Sequence, residues 1–131
     1  MLSTAIIQAY CLQEGLSCEW IDVRDILKTD DNYRDAGILW DVTQQNVTQM
    51  LKSSFDKRSI VITQGFIGST MENHSVTLGR EGSDYSAAIF SNMLDAESLS
   101  IWKDVPSLLN ADPKIFPNTV AIPEITFHEV I

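Results

Sequence analysis

The sequence predicts an α/β domain built on a mainly parallel sheet, and three observations carry that reading. Ile60-Val61-Ile62 is continuously apolar and β-branched, as a parallel strand covered on both faces requires. It runs straight into Gln64-Gly65-Phe66-Ile67-Gly68, a glycine-punctuated turn at the strand's carboxyl end. A helical pattern over residues 84–94 and a short apolar run at Leu99-Ser100-Ile101-Trp102 complete the order strand, glycine loop, helix, strand. That order is a βαβ unit, whose crossover is right-handed as a rule.

The elements follow in order along the chain. Residues 2–14 place Leu2, Ile6, Ile7, Tyr10 and Cys11 at helical spacing, and Gly15 offers a C-terminal stop. Trp20-Ile21-Asp22-Val23 reads as a short strand, and the polar residues 29–35 as a surface loop. Residues 43–51 form a helix with Val47, Met50 and Leu51 as its apolar edge and Thr43 as N-cap. Residues 69–75 are polar. From residue 84 to 94, Tyr85, Ala87, Ala88, Ile89, Phe90, Met93 and Leu94 occupy almost every side of a helical wheel, which predicts a helix buried on most of its circumference. Asp104-Val105-Pro106 and Asp112-Pro113 are turn-forming, and Thr126-Phe127-His128-Glu129 is a capping box. A helix nucleated so close to residue 131 predicts a domain cut at its C-terminus.

Composition narrows the function. The 131 residues carry 9 Lys+Arg against 18 Asp+Glu, a formal charge of −9, which argues against sequence-independent nucleic-acid binding and against an anionic membrane surface. Hydrophobic residues at 44% and charged residues at 21% are globular values, so the chain is not a disordered tail. No apolar run exceeds four residues (9–12 and 87–90), which leaves no membrane span and no signal-peptide core. A soluble, cytoplasmic protein is expected. Cys11 and Cys18 fit neither a CxxC motif nor paired zinc ligands and read as buried, reduced thiols.

Ligands of an open parallel sheet bind beyond the carboxyl ends of its strands. Two such ends are predicted, at residues 64–69 and 103–114, and the loop 79–84 lies between them in sequence and opens a helix. Its glycines allow close backbone approach, and a helix N-terminus presents unpaired N–H groups with partial positive charge. Arg80 adds a planar fork suited to a carboxylate or phosphate. Beyond residue 59 the basic residues are Arg80, Lys103 and Lys114 alone, each in one of these loops, as a pocket for a small anion in an acidic protein requires. The alternative is that Ser83 is only an N-cap and Arg80 only a surface residue. No Walker A loop, GxSxG elbow or HExxH spacing occurs. His74 reads as a loop residue and His128 as a first-turn helix residue. The carboxylate pairs Asp22/Asp25 and Asp30/Asp31 read as solvated surface.

Four strings in order closely resemble the aspartokinases of the amino acid kinase family. They are Val61-Ile62-Thr63-Gln64-Gly65-Phe66-Ile67-Gly68, Thr77-Leu78-Gly79-Arg80-Glu81-Gly82-Ser83-Asp84-Tyr85-Ser86-Ala87-Ala88, Ile101-Trp102-Lys103-Asp104-Val105-Pro106 and Ala111-Asp112-Pro113. The strong match covers residues 59–129, and residues 2–26 look like the preceding helix and strand. Glutamate and uridylate kinases share the fold but not the Leu-Gly-Arg-x-Gly-Ser-Asp-Tyr string.

The resemblance implies a three-layer α/β/α fold and transfer of the ATP γ-phosphoryl group to the side-chain carboxylate of L-aspartate. The product is 4-phospho-L-aspartate, at the head of lysine, threonine and methionine synthesis. It further implies that Arg80 and Ser83 hold aspartate and that Asp84 is catalytic, orienting lysines or the Mg²⁺–phosphate group. Lys103, Asp104, Leu109 and Lys114 would contact the nucleotide, with Gly65 and Gly68 beside the phosphoryl groups. Mg²⁺ would arrive with ATP rather than in a protein-held site, and the parent would be a homo-oligomer. In departure from the family, Lys103 stands where many relatives have threonine, Leu109 where some have tyrosine, Ser107 for a turn glycine and Lys114 for an arginine. The family's Lys-Phe-Gly-Gly-Thr-Ser strand, the Gly-Glu before Leu2-Ser3, the end of the kinase domain and the ACT domains do not occur in these residues. The chain is therefore expected to be the middle of a catalytic domain, inactive alone. A non-catalytic binding or self-assembly module is the other expectation, since a partial sheet exposes an edge and apolar surface.

Overall fold

A computed structural model describes residues 1–55, 60–104 and 107–130. The chain forms two compact units, Met1–Leu99 and Ser100–Ile131.

The first unit opens with α1 (Leu2–Gln13), which stops at Gly15 with φ +80 as the sequence requires. Its apolar face is not buried: Leu2, Ile6, Ile7 and Tyr10 are all exposed. Strand β1 (Cys18–Trp20) follows. The predicted strand ends early, because the Asp22 carboxylate accepts from the Arg24 amide (3.0 Å) and caps α2 (Val23–Ile26). Asp22 also binds the Arg24 guanidinium at 2.6 Å, so it is not simply solvated surface. That guanidinium holds its carboxyl below the usual range.

Helix α3 (Trp40–Asn46) begins three residues before the predicted start and passes through a π-helical stretch, Val47–Leu51, into α4 (Lys52–Phe55). Thr43 is not an N-cap. It is fully buried inside α3, and its hydroxyl accepts from the Lys28 amide at 3.1 Å and donates to the Lys28 carbonyl at 3.3 Å. Tertiary demand at Lys28 outweighs the capping preference of threonine here.

Strand β2 (Ile60–Ile62) pairs with β1 in parallel, Cys18 opposite Ile60 and Trp20 opposite Ile62. The α/β class therefore holds, but the strand is half-buried rather than covered on both faces. The polar stretch after it is a β-hairpin: β3 (Ile67–Ser69) pairs antiparallel with β4 (Ser75–Thr77). Asn73, with φ +63, and a Thr70 amide bond to the His74 carbonyl (2.9 Å) close its turn. His74 does lie in that loop.

Helix α5 spans Gly82–Met93. Gly82, Ser86, Ile89 and Met93 are its buried residues, one stripe at helical spacing, while Tyr85 is exposed. Wheel arithmetic overstated the burial because it counted alanines and Tyr85 as core. The core gathers Val23, Ile26, Leu27, Val47, Leu51, Val76, Leu78, Ile89 and Met93. Cys18 is buried and Cys11 partly exposed, and neither is in a disulfide.

No strand forms at Leu99-Ser100-Ile101-Trp102. Trp102 is 93% exposed, and the run finds no hydrogen-bonding partner strand among the described residues, without which extended backbone gains nothing. The parallel pair is instead β1–β2, its connection carrying α2 to α4.

Among the described residues, the second unit contains a single antiparallel bridge, Leu109 to Ala121, flanked by bonds from Asn110 to Val120 (3.1 Å) and from Ile122 to Leu108 (2.9 Å). Asp112-Pro113 is a turn: the Asp112 carboxylate accepts from the Lys114 amide at 2.9 Å. Half of the predicted capping box forms before α6 (Phe127–Val130): the Thr126 amide donates to the Glu129 carboxylate at 2.9 Å. The Thr126 hydroxyl donates to that carboxylate too (2.6 Å), and the Glu129 amide donates to the Thr126 carbonyl (3.0 Å) rather than to the hydroxyl. Residues 105–106 of the predicted Asp-Val-Pro turn lie outside the described residues.

Candidate functional site

The carboxyl end of β2 is fixed by side chains from three directions. The Thr63 hydroxyl donates to the Ile21 carbonyl at 2.9 Å. Gln64, buried, accepts from the Val23 amide at 2.9 Å and donates to the Thr4 hydroxyl at 3.0 Å. Thr4 also accepts from the Trp20 indole N–H at 2.9 Å, so α1, β1 and α2 all meet at this point.

Past Gln64 the chain turns through exposed Gly65 and through Phe66, whose φ of +76 is rare for a bulky residue. The Phe66 amide donates to the Ser86 hydroxyl at 2.9 Å, and that hydroxyl donates to the Gly82 carbonyl at 2.7 Å. The Leu78 amide closes on the Phe66 carbonyl at 2.9 Å. Two glycines make the approach possible. A Cβ on Gly65 would lie 3.1 Å from Ser83 Cα, and one on Gly82 would lie 2.7 Å from Phe66 Cδ2. The glycine turn after β2 and the first turn of α5 are thus in direct contact.

The loop between them bends at Gly79, with φ +79 and the Asp35 carboxylate filling the space of a side chain. Arg80 follows, exposed, and among the described residues no carboxylate forms an ion pair with it. Glu81, with φ +57, is the residue that caps α5, without a side-chain cap bond. Ser83 is therefore not the N-cap: it is the second helical residue, exposed, with Asp84 half-buried after it. First-turn amides have no intrahelical acceptor, so Arg80, the Ser83 hydroxyl and this helix end offer a small anion a guanidinium fork, a hydroxyl donor and backbone N–H groups. The structure brings Gly65, Arg80, Ser83 and Asp84 into one neighbourhood.

Gly68 is placed differently. It lies in β3, buried, and a Cβ there would meet Leu27 Cδ2 at 2.7 Å and the Leu27 carbonyl at 2.9 Å. Its missing side chain serves the close packing of the residues after α2 on β3. In the second unit, Lys103, Asp104 and Lys114 are exposed and Leu109 is half-buried at the bridge. The Ser107 hydroxyl is buried with no hydrogen-bond partner among the described residues.

Gln64 and Ser86 are the polar residues that sequence reasoning passed over. Ser86 carried a signal, being four residues after Gly82 on the buried stripe of α5. A cleft of about 430 Å³ lined by Glu19, Trp20, Asp22, Asp25, Gln49 and Ser53, among others, contains none of the predicted site residues. Among the described residues, no cluster of three or more His, Cys, Asp or Glu side chains is disposed to hold a metal, and no helix is long and apolar enough to cross a membrane.

A family model described as the amino acid kinase family matches residues 1–131. The chain belongs to the amino acid kinase family. Among its relatives, the lysine-sensitive aspartokinase 3 of Escherichia coli K12 is 33% identical over 98% of this chain and 28% of its own length. The chloroplastic bifunctional aspartokinase/homoserine dehydrogenase 1 of Arabidopsis thaliana is 34% identical over 97% of this chain and 14% of its own. The crystal structure of E. coli aspartokinase III in complex with aspartate and ADP (R-state) superposes with a TM-score of 0.86 at 31% identity, over 92% of this chain and 27% of that one. The lysine and aspartate complex (T-state) gives 0.82 at 32% identity, over 94% and 27%. This member of the amino acid kinase family thus spans under a third of the length of these aspartokinases.

Proposed function

We propose that these residues contribute the aspartate-binding loop and part of the ATP site to the catalytic domain of an aspartate kinase. The observation that carries the proposal is the contact of Gly65 with Ser83, which sets exposed Arg80 and the start of α5 beside the carboxyl end of β2. The likeness to aspartokinase III crystallised with aspartate and ADP supports the choice of ligands.

In the reaction a carboxylate oxygen of the aspartate side chain attacks the γ-phosphorus of ATP. The new P–O bond forms as the bond to the β,γ-bridging oxygen breaks, and ADP leaves with that electron pair. Such transfer depends on positioning and charge neutralisation rather than on a covalent intermediate. Arg80 holds a substrate carboxylate through its fork and Ser83 donates its hydroxyl. Asp84 orients the groups that bear on the phosphates. Lys103, Asp104 and Leu109 contact the nucleotide, Lys114 faces its phosphates, and Gly65 leaves room for the phosphoryl group. Gly68 acts one step back, through packing. Mg²⁺ enters as part of the ATP substrate complex and neutralises phosphate charge there. The parent is a cytoplasmic homo-oligomer in this reading. The 131 residues taken alone, without the Lys-Phe-Gly-Gly-Thr-Ser motif, do not turn over.

The test is a transplant. Residues 1–131 replace the matching segment of E. coli aspartokinase III, and ADP release is followed with L-aspartate and L-glutamate. Aspartate-dependent turnover is expected, with Arg80→Ala lowering kcat/KM for aspartate by about 10- to 100-fold, as loss of charged hydrogen bonds does. A folded transplant that ignores aspartate, or an Arg80→Ala version as active as its parent, would defeat the proposal.

A further inference from the structure

Serines inside helices commonly donate to the carbonyl four residues back, and by itself the Ser86–Gly82 bond (2.7 Å) is ordinary. What sets Ser86 apart is its second bond. The same oxygen accepts from the Phe66 amide at 2.9 Å, on a segment 20 residues earlier, and the residue is 2% exposed. A hydroxyl has one hydrogen to give and lone pairs to receive, and both capacities are used here.

Its two partners stand at the strained points of the site. Phe66 has φ +76, and Gly82 directly follows Glu81 with φ +57, so non-glycine residues in the left-handed region flank the contact on both sides. Left-handed backbone at such residues persists only when its surroundings over-determine it. The Leu78 amide bonded to the Phe66 carbonyl (2.9 Å) is the other tie, at the start of the Arg80 loop.

We infer that Ser86 is a positioning residue: its hydroxyl pins the Gly65-Phe66 turn to the first turn of α5, and so sets the spacing between Arg80, Ser83 and the carboxyl end of β2. This role rests on the aspartate-binding reading above. Without the hydroxyl, the Phe66 amide loses its acceptor, the turn relaxes from left-handed backbone, and Ser83 moves relative to Gly65. Threonine retains the hydroxyl and therefore the clamp.

The ¹⁵N-labelled 131-residue chain tests this through L-aspartate titration by NMR, amide exchange at Phe66 and thermal unfolding. Ser86→Ala is expected to weaken aspartate binding about tenfold and to speed Phe66 amide exchange by at least about tenfold, whereas Ser86→Thr stays within about twofold on both. Should the alanine variant unfold, Ser86→Cys keeps the volume with a weak acceptor and gives the same comparison. A serine of purely structural value would lower the unfolding midpoint but leave the affinity of the folded chain untouched. That outcome, or an unchanged Phe66 exchange rate, overturns the inference alone. An unsubstituted chain that shows no aspartate-dependent shift overturns the functional reading and the inference with it.

Discussion

Replacing Gln64 by leucine leaves a side chain of similar length and deletes both polar contacts at the end of β2. The Val23 amide, in a residue with no exposed surface, loses its acceptor at 2.9 Å, and no water can reach it as a substitute. An orphaned buried amide costs about 1–3 kcal/mol, and the lost bond to Thr4 (3.0 Å) adds about 1 kcal/mol. Greater apolar burial of leucine returns about 1 kcal/mol. The net expectation is about 2 kcal/mol, which for a unit of this size lowers the thermal midpoint by roughly 10 °C. Urea unfolding followed by circular dichroism measures it. Gln64→Glu separates the two bonds. A carboxylate still accepts from Val23 but faces the Thr4 oxygen, whose hydrogen is already donated to the Met1 carbonyl at 2.9 Å. Burial raises the folded pKa of such a glutamate above its unfolded value of about 4.3, so its penalty is small below that pH and grows as pH rises to the folded value. A leucine variant within about 0.5 kcal/mol of the parent, or a glutamate variant insensitive to pH, would show that Gln64 does not hold this junction.

Two further expectations concern the frame of the site. Gly79→Ala should destabilise by about 2 kcal/mol and Gly15→Ala by about 1 kcal/mol. Both have positive φ, but a side chain at 79 meets the Asp35 carboxylate, while nothing lies within 4 Å at Gly15. Equal losses in chemical denaturation would contradict the crowding argument. Asp22→Ala should cost about 1 kcal/mol at neutral pH through loss of the α2 cap. Because Arg24 lowers the folded pKa of Asp22 below its ordinary 3.8, the contribution is complete above that value and disappears as pH falls through the folded pKa. Parent and variant should therefore converge in stability in acid, and a constant difference down to pH 2 would refute the linkage.

The elements that were legible in the sequence are those whose signals are local. Gly15 ends α1, Asp112-Pro113 turns and Thr126 with Glu129 opens a helix, each through chemistry within four residues. Ile60-Val61-Ile62 shows its strand by an unbroken β-branched run, although its partner, β1, lies about 42 residues earlier. Where a distant partner decides, local signals misled. Thr43 has the side chain of an N-cap but spends it on Lys28, 15 residues away. Leu99-Ser100-Ile101-Trp102 has strand composition and no strand to pair with among the described residues. The hairpin over residues 67–77 was hidden because its turn closes through Thr70, Asn73 and His74 rather than through an Asn-Gly or Asp-Gly pair.

The site divides along the same line. Arg80, Ser83 and Asp84 could be singled out because a guanidinium, a hydroxyl and a carboxylate near glycines advertise chemistry by residue type. The residues that hold them do not. Gln64 and Ser86 are uncharged and buried, and their partners lie 41 and 20 residues away. Gly68 looked like a pocket glycine and packs on Leu27 instead. Yet a guanidinium on an exposed loop binds a carboxylate usefully only if its loop is held in place, since small displacements of a binding group cost much of its benefit. Those constraints here come from a glutamine that anchors the strand end and a serine that ties that end to the helix. The chemistry of the site is thus written in its exposed residues, and its geometry in buried polar ones whose meaning depends on the fold.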